Sequence, residues 1–175
     1  MDTSYKEFTY RKPIPSDAPR LATLLKAVYI HTYALEGVTT EFVEFTNEQF
    51  SEENLIKMMD SKEADFLVAL YKENPIGIVK IEYNKTTPIE NITATKLDKL
   101  YVLNHFHGKG IGFQLHTKIE AIAKAKGEKE MWLWVYYKNE QAITFYEKQN
   151  YKSIGMADFT VKQNSYPNHI LLKQL

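Results

Sequence analysis

The sequence predicts a single mixed α/β domain in which a sheet carries helices on both faces. Short β-rich runs alternate with helical patterns along the chain, in the order β-α-α-β-β-β-α-β-α-β-β. The length of 175 residues suits one domain, over residues 1–175, with a core of its own. Neither a repeat nor a low-complexity linker divides the sequence.

The first half of the chain is predicted to contain a strand, two helices and a hairpin. Glu7–Ile14 alternates as a strand does, and Ser16-Asp17 offers a cap for the helix that follows. The apolar residues of that helix recur at helical spacing: Leu21, Leu24, Leu25, Val28 and Tyr29. A second helix is predicted near Ser51–Met59. The runs Asp65–Tyr71 and Ile76–Tyr83, joined by Lys-Glu-Asn-Pro, indicate a hairpin.

The second half is predicted to contain four more strands and two helices. A polar loop at Asn84–Asn91 precedes them. The predicted strands are Lys96–Leu103, Met131–Tyr137, Tyr151–Val161 and His169–Leu175. The predicted helices are Gly112–Lys126, which Gly127 ends, and a short helix from a cap at Asn139 to about Lys148.

Composition excludes several classes of protein. Lysine plus arginine and aspartate plus glutamate both number 22, and this zero net charge argues against a nucleic-acid binder. Because cysteine is absent, the chain has no disulfide, no cysteine-ligated metal and no cysteine nucleophile. No apolar run approaches the roughly 18 residues that cross a bilayer, and the N-terminus lacks the apolar stretch of a secretory signal. We therefore expect a cytoplasmic protein without a membrane partner.

The charge is unevenly distributed. Residues 31–60 hold seven acidic residues and one lysine, a net charge of −6. Residues 94–130 hold seven lysines and four acidic residues, a net charge of +3. The first segment is either a solvated helical surface or a patch that attracts a cationic substrate.

The glycine-rich segment His105–Gly112 lies in the basic part of the chain. Its glycines, Gly108, Gly110 and Gly112, stand between a predicted strand and a predicted helix. Such a turn suits phosphate, because glycine lets the backbone come close and the first helical N–H groups point at the ligand. A P-loop would need Ser or Thr where Gly110 stands, and a Rossmann fingerprint would need a glycine where Phe113 or Leu115 stands.

The segment resembles motif A of the GNAT N-acetyltransferases, Gln/Arg-x-x-Gly-x-Gly/Ala after a strand that ends in Val. Val102 ends the predicted strand, His107 takes the Gln/Arg position, and Gly110 and Gly112 match the glycines. The resemblance implies that the loop binds the pyrophosphate of acetyl-CoA through backbone N–H groups. The implied loop residues are His107, Gly108, Lys109, Gly110, Ile111 and Gly112, and the implied pantetheine-binding strand residues are Leu100, Tyr101 and Val102. His107 departs from the family pattern, and we expect it to weaken the hold on CoA somewhat.

A second segment resembles GNAT motif B, a strand followed by Asn-x-x-Ala-x-x-Phe-Tyr, a basic residue and Gly-Phe. The matching residues are Asn139, Ala142, Phe145, Tyr146 and Lys148, with Asn150-Tyr151 in the Gly-Phe place. Asn is the next-best residue for a left-handed helix end. Together the motifs imply a single-domain GNAT fold with a mostly antiparallel sheet of about seven strands.

The resemblance also implies roles for side chains. Tyr146 would be the catalytic acid that protonates the departing CoA thiolate, Asn139 would contact the CoA arm, and Lys148 would lie near CoA phosphate. The alternatives are a core aromatic for Tyr146 and a surface lysine for Lys148. Asp98 either holds a water that takes the amine proton or forms an ion pair, and we favour the ion pair. No metal is expected.

Within GNAT proteins the chain is most similar to the PaiA-type spermidine/spermine N-acetyltransferases. The similarity covers His31-Thr32-Tyr33, Leu97–Val102, Trp132–Tyr146 and Asn168–Leu175. That branch usually has Asp near the place of Asn168. The implied function is acetyl transfer from acetyl-CoA to a small-molecule amine, with a polyamine favoured by the acidic segment. Acetylation of a protein N-terminus or lysine, and a non-catalytic acetyl-CoA-binding module, are the alternatives; a homodimer is left open.

Overall fold

The computed structural model describes residues 8–35, 37–161 and 164–175, and it contains seven strands and five α-helices in that part of the chain. The strands are β1 (Phe8–Arg11), β2 (Ala64–Tyr71), β3 (Asn74–Thr86), β4 (Thr93–Val102), β5 (Glu130–Tyr136), β6 (Lys152–Val161) and β7 (Asn164–Gln174). The helices are α1 (Ala18–Tyr33), α2 (Thr40–Gln49), α3 (Glu52–Met59), α4 (Ile111–Ala125) and α5 (Glu140–Lys148). Short 3-10 turns occupy Pro15–Asp17 and Asn104–Phe106.

The strands form one sheet in the order β1-β2-β3-β4-β5-β7-β6. The pairs β1–β2, β5–β7 and β6–β7 are antiparallel, whereas β4 and β5 are parallel. The parallel register joins Thr95 to Met131 and Lys96 to Trp132, near the start of both strands. The predicted mixed α/β fold with a mostly antiparallel seven-stranded sheet is therefore confirmed.

Two compact units can be distinguished by their internal contacts, with boundaries that fall within β3, β4 and α4. The first comprises the chain up to Lys80 together with Lys99–Ile119. Its core joins the apolar faces of α1 and α3 to β2 and β3, and Leu21, Leu25, Leu55, Val68 and Ile78 are almost completely buried there. The second comprises Ile81–Asp98 and Glu120–Leu175. One core cluster of this unit is built around Ala94, Trp132 and Ile170.

Several predicted strand bounds were wrong. The first strand ends at Arg11 and not at Ile14, and Glu7 lies outside the described residues. The hairpin is confirmed, but its turn is only Lys72-Glu73, both with positive φ (48° and 62°), so Asn74 and Pro75 already belong to β3. Two-residue hairpin turns of this kind match the twist of the flanking strands.

The predicted extent of the polar loop, Asn84–Asn91, was also partly wrong. β3 continues through Asn84, whose φ is +54°, as far as Thr86. The last strand begins at Asn164 and not at His169, because β7 pairs with β6 from Leu172 down to Asn164, which faces Val161. In both cases a partner strand extends the pairing into polar sequence.

The helix α2 was not predicted at all. Thr39 caps it by accepting a hydrogen bond from the Phe42 N–H at 3.3 Å. Its Phe42 and Phe45 rings lie 5.8 and 5.0 Å from the ring of Tyr29 on α1. Aromatic packing on α1 therefore stabilises a helix whose sequence is otherwise polar and acidic.

The predicted helix cap at Ser16-Asp17 needs correction. Asp17 immediately precedes α1, but its side chain makes no cap bond to that helix. The carboxylate instead accepts from the Ile14 N–H at 2.9 Å and pairs with Arg11 at 2.6 Å and Arg20 at 2.9 Å. The Arg11 hydrogen bond is the main reason why the pKa of Asp17 lies below its ordinary value, despite complete burial of the side chain.

Candidate acetyl-CoA site

A tight turn connects the end of β4 to the glycines. The Leu103 N–H donates to the Ile76 carbonyl at 2.9 Å, which holds the start of the turn against β3. The Phe106 N–H donates to Leu103 at 2.8 Å, and the His107 N–H donates to Asn104 at 3.0 Å. These bonds occupy the N–H groups of Leu103, Phe106 and His107, and the N–H groups from Gly108 onward are the candidates for a ligand.

The glycines have the backbone geometry that the sequence led us to expect for a phosphate loop. Gly108 and Gly110 have φ of +75° and +74°, which other residues adopt only with strain. A Cβ added at either position would meet no atom within 4 Å, so both glycines border open space. The Gln114 N–H donates to Gly110 at 2.9 Å and closes the first turn of α4.

The N-terminus of α4 supplies N–H groups and the positive end of the helix dipole to this loop. Lys109 is exposed, whereas the Ile111 side chain is buried, with 1% of its surface exposed. Ile111 therefore can offer a ligand only its main chain. The arrangement fits a pyrophosphate, since exposed glycine backbone, helical N–H groups and a lysine are all on one short segment.

The strand residues Leu100, Tyr101 and Val102 form the end of β4, beyond its register with β5 at Lys96. Leu100 and Tyr101 are half-buried, and Val102 is 9% exposed. On the β3 side the backbone approaches closely. A Cβ added at Gly77 would lie 3.0 Å from the Tyr101 carbonyl oxygen and 3.2 Å from the Leu115 side chain on α4.

Gly77 is a site feature that sequence reasoning missed. A buried glycine inside an apolar strand often marks a close backbone approach, and that signal was present in the run Ile76–Tyr83. Here the missing side chain lets α4 and β4 both pack against β3. Gly77 thereby helps to set the position of the strand that leads into the loop.

The second motif lies on α5 and its flanks, within the second unit. The Asn139 side chain accepts from the Ala142 N–H at 3.1 Å, so the predicted cap is confirmed. Tyr146 is 9% exposed, and its ring lies 5.2 Å from Phe145 and 5.5 Å from Tyr151. Asn150 ends the helix with φ of +67°, as its type predicted. The bend lets the Tyr151 N–H donate back to the Tyr146 carbonyl at 3.1 Å.

Tyr151 lies in a charged but buried environment. Burial is the main reason why the pKa of Tyr151 lies well above its ordinary value, and electrostatic repulsion from Tyr146 and Glu120 adds to the shift. The Lys173 ammonium lies 5.8 Å from the centre of the Tyr151 ring and pairs with Glu120 at 2.5 Å. Tyr151 is therefore neutral, and its ring packs against the ring of Tyr146.

The remaining predicted side chains differ in their surroundings. Lys148 is exposed in the last turn of α5. Asp98 pairs with Lys96 at 2.9 Å, so the expected ion pair is confirmed. Lys96 also lies 3.9 Å from Glu82. Among residues 8–35, 37–161 and 164–175, no group of three or more His, Asp or Glu side chains could hold a metal ion.

The acids of segment 31–60 lie mainly on α2 and α3. Glu44, Glu48, Glu52, Glu53 and Asp60 are exposed, and Glu36 lies outside the described residues. Glu53 pairs with Lys57 one turn later at 2.6 Å. None of the helices in the described part of the chain is both long and apolar enough to cross a membrane.

Comparison with known proteins decides the family. The sequence profile described as "Acetyltransferase (GNAT) family" matches residues 35–151, about two thirds of the chain. The chain belongs to the GNAT acetyltransferase family. The match includes both segments described above, the GNAT glycine loop and the GNAT helix that carries Tyr146.

Two curated relatives are named as uncharacterised N-acetyltransferases. One from Methanocaldococcus jannaschii is 30% identical over 95 residues, which are 54% of this chain and 42% of that protein. One from Mycobacterium tuberculosis is 32% identical over 80 residues, 46% of this chain and 51% of that protein. The matched region thus spans about half the length of these GNAT relatives.

Solved structures support the GNAT fold over nearly the whole chain. The crystal structure of a PaiA N-acetyltransferase from Thermoplasma acidophilum, in complex with coenzyme A, superposes with a TM-score of 0.75 at 23% identity. The superposition covers 96% of this chain and 99% of that one. At this identity the likeness concerns the fold.

Proposed function

We propose that this protein is an acetyl-CoA-dependent N-acetyltransferase. The observation that carries the proposal is the loop at the head of α4 in a GNAT chain. There, Gly108 and Gly110 have positive φ beside open space, and the N–H groups of Phe106 and His107 just before them are bonded within the turn. The main chain from Gly108 to Gly112 would bind the pyrophosphate.

Other residues would bind the rest of the cosubstrate. The backbone of Leu100, Tyr101 and Val102 would pair with the pantetheine arm, supported by the short β4–β5 register that ends at Lys96. Asn139 would contact the same arm, and Lys109 and Lys148 would lie near phosphates. When bound, acetyl-CoA supplies the acetyl group as a thioester.

Tyr146 would act as the general acid. In the transfer a C–N bond forms between the neutral acceptor amine and the acetyl carbon, and the C–S bond breaks. The amine loses a proton to solvent, and solvent in turn restores the proton that Tyr146 gives up. The Tyr146 hydroxyl would donate a proton to the departing sulfur. Its ring is held between Phe145 and Tyr151, which favours a fixed orientation of the hydroxyl.

A polyamine is the acceptor we propose. Exposed acids on α2 and α3 give this part of the chain a strong negative charge, which attracts a ligand with one positive charge per amine. A PaiA N-acetyltransferase is among the proteins that share the fold. Peptide N-termini and lysines carry less positive charge and would gain less from the acids.

The test is release of free thiol from acetyl-CoA in the presence of an amine panel. The panel contains spermidine, spermine, an arylamine and a peptide with a free N-terminus and a lysine. We expect the highest kcat/KM with the polyamines, and a decline with added salt that the arylamine does not show. A rate on spermidine that does not change with salt would contradict the proposed attraction between the polyamine and the acidic residues. Tight CoA binding without thiol release on any amine would instead indicate a binding module.

A further inference from the structure

His107 stands where the GNAT pattern has Gln or Arg, and its side chain makes a specific main-chain contact. Its Nε2 lies 2.8 Å from the carbonyl oxygen of Val102, the last residue of β4. A carbonyl oxygen can only accept, so Nε2 carries the hydrogen and donates it. The imidazole therefore joins the position just before Gly108 to the end of β4.

The contact completes a turn that is already closed by two main-chain bonds. Phe106 donates to Leu103 at 2.8 Å and His107 donates to Asn104 at 3.0 Å. The hydrogen bond from the imidazole to Val102 spans the longer segment 102–107, which contains both main-chain bonds. The backbone N–H of His107 and its Nε2 thus both donate hydrogen bonds within the turn.

The flexibility of the next residues explains why this anchor matters. Gly108 and Gly110 have no neighbouring atoms at their Cβ positions, so packing does little to hold them. Glycine backbone loses the most conformational freedom when it is ordered by a ligand. An anchor immediately before such a segment lowers that entropic cost, because the loop is partly ordered before the ligand arrives.

A second contact holds the same turn from another element. The side chain of Asn104 contacts Nε2 of His31 in the last part of α1. The main-chain carbonyl of Asn104 thus accepts a hydrogen bond from the His107 N–H, and its side-chain amide contacts α1. The turn is fixed at both ends, by β4 through His107 and by α1 through Asn104.

We propose that His107 is a positioning residue that orders the pyrophosphate loop through its hydrogen bond to the Val102 carbonyl, and not a phosphate ligand. The proposal rests on the proposed acetyl-CoA site. It accounts for the departure from the family pattern, since a side chain that binds the protein's own backbone can differ from one that meets the ligand.

The test compares three variants by calorimetry with CoA. His107→Ala removes the donor, and His107→Gln offers an amide N–H at similar reach. His105→Ala removes an exposed histidine from the same turn as the matched control. We expect CoA to bind about fivefold more weakly to His107→Ala, the effect of one lost hydrogen bond. His107→Gln and His105→Ala should stay within about twofold of the wild type.

Two readouts separate positioning from direct phosphate binding. The KM for acetyl-CoA should rise in His107→Ala while kcat stays within about twofold, and the salt dependence of CoA binding should match that of the wild type. A shallower salt dependence in His107→Ala would indicate that a positively charged His107 side chain contacts the phosphate in the wild type, and it would overturn the proposal. Equal CoA affinity of His107→Ala and wild type would overturn it as well.

The proposal can also be tested without cofactor. In a nitrogen–proton correlation spectrum of the free protein, Nε2 of His107 should carry the proton. Hydrogen exchange at Gly108–Gly110 should be faster in His107→Ala than in the wild type or His105→Ala. An unprotonated Nε2, or unchanged exchange, would contradict the anchor even if the wild type binds CoA. If the wild type does not bind CoA, the proposed function is rejected. The protonation of Nε2 and the hydrogen exchange would then still test whether His107 orders the loop.

Discussion

The glycine loop, residues 107–112, and the α5 segment, residues 139–151, both carry GNAT motifs, yet they are built differently. The loop is exposed from His107 to Gly110 and consists mainly of main chain in unusual conformations. The α5 segment depends on side chains: Asn139 caps the helix, and Tyr146 and Tyr151 are buried against each other. The glycine loop depends on its backbone geometry, whereas the α5 segment depends on its side chains.

This difference explains where the chain departs from its family. In the loop the side chain at His107 changes, while Gly110, the motif glycine with positive φ, is kept. In α5 the departure is Asn150-Tyr151, where Asn still adopts positive φ and Tyr still presents a ring. Each motif tolerates substitutions that preserve the property it depends on.

The largest effect is expected for Tyr146→Phe. Loss of the proposed acid should lower kcat about a hundredfold, while the Kd for CoA stays close to the wild-type value because the ring remains. The control is Tyr137→Phe, which removes the hydroxyl of a tyrosine that is 40% exposed. Stopped-flow thiol release and calorimetry would measure the two quantities. Undiminished turnover would exclude Tyr146 from acid catalysis.

Gly110→Ala tests the backbone side of the comparison. A Cβ at φ of +74° strains the backbone by about 1 kcal/mol or more, so we expect CoA affinity to fall about five- to tenfold. Gly37→Ala is the control, since Gly37 also has positive φ (+100°) and open space around it but lies outside the loop. Calorimetry should show a loss only for Gly110→Ala; equal losses would mean that general destabilisation is responsible.

Asn139→Ala should destabilise the cofactor-free protein by about 1 kcal/mol, because the Ala142 N–H loses its cap. Asn139→Asp retains an acceptor oxygen and should remain close to the wild type in stability. Urea unfolding followed by circular dichroism measures both. A stable Asn139→Ala protein would show that α5 is held by its buried rings alone.

The smallest effect concerns Tyr151 and appears only at high pH. Burial raises its pKa above the ordinary 10.0, so above pH 10 the unfolded chain loses a proton that the folded chain retains, and stability falls. Tyr151→Phe should remove this part of the decline, about half a kcal/mol a few tenths of a pH unit above 10. The unfolding free energies of both proteins, compared from pH 7 upwards, measure it. Parallel curves above pH 10 would contradict the expected shift.

Local rules predicted most of the helix ends, although the side-chain cap expected at Ser16-Asp17 does not form. Ser51 caps α3 by accepting from the Asn54 N–H at 3.2 Å, and Gly127 ends α4 with φ of +87°. Asn139 and Asn150 begin and end α5 as expected. These features depend on residues within a few positions of each other, so the sequence contains the information.

Other features depend on partners that are distant in sequence. The helix α2 needs the ring of Tyr29 on α1, and only its Thr39 cap was visible locally. The extent of β7 depends on its register with β6. For the site, the glycines and Tyr146 could be found from their motifs, whereas the contact of His107 with Val102 and the approach of Gly77 to Tyr101 require the folded backbone.

The strand β6 has a further consequence for the behaviour of the protein in solution. It forms one edge of the sheet, and its register with β7 shifts between Ser153 and Gly155. A shift of this kind bends an edge strand and interrupts the even row of hydrogen-bonding groups that another chain would need for pairing. Gly155 adds to this, with φ of +146° and a Cβ position only 2.7 Å from the Ile89 side chain. The irregularity thus protects an apolar edge, which includes exposed Met156 and Phe159, against strand-by-strand aggregation.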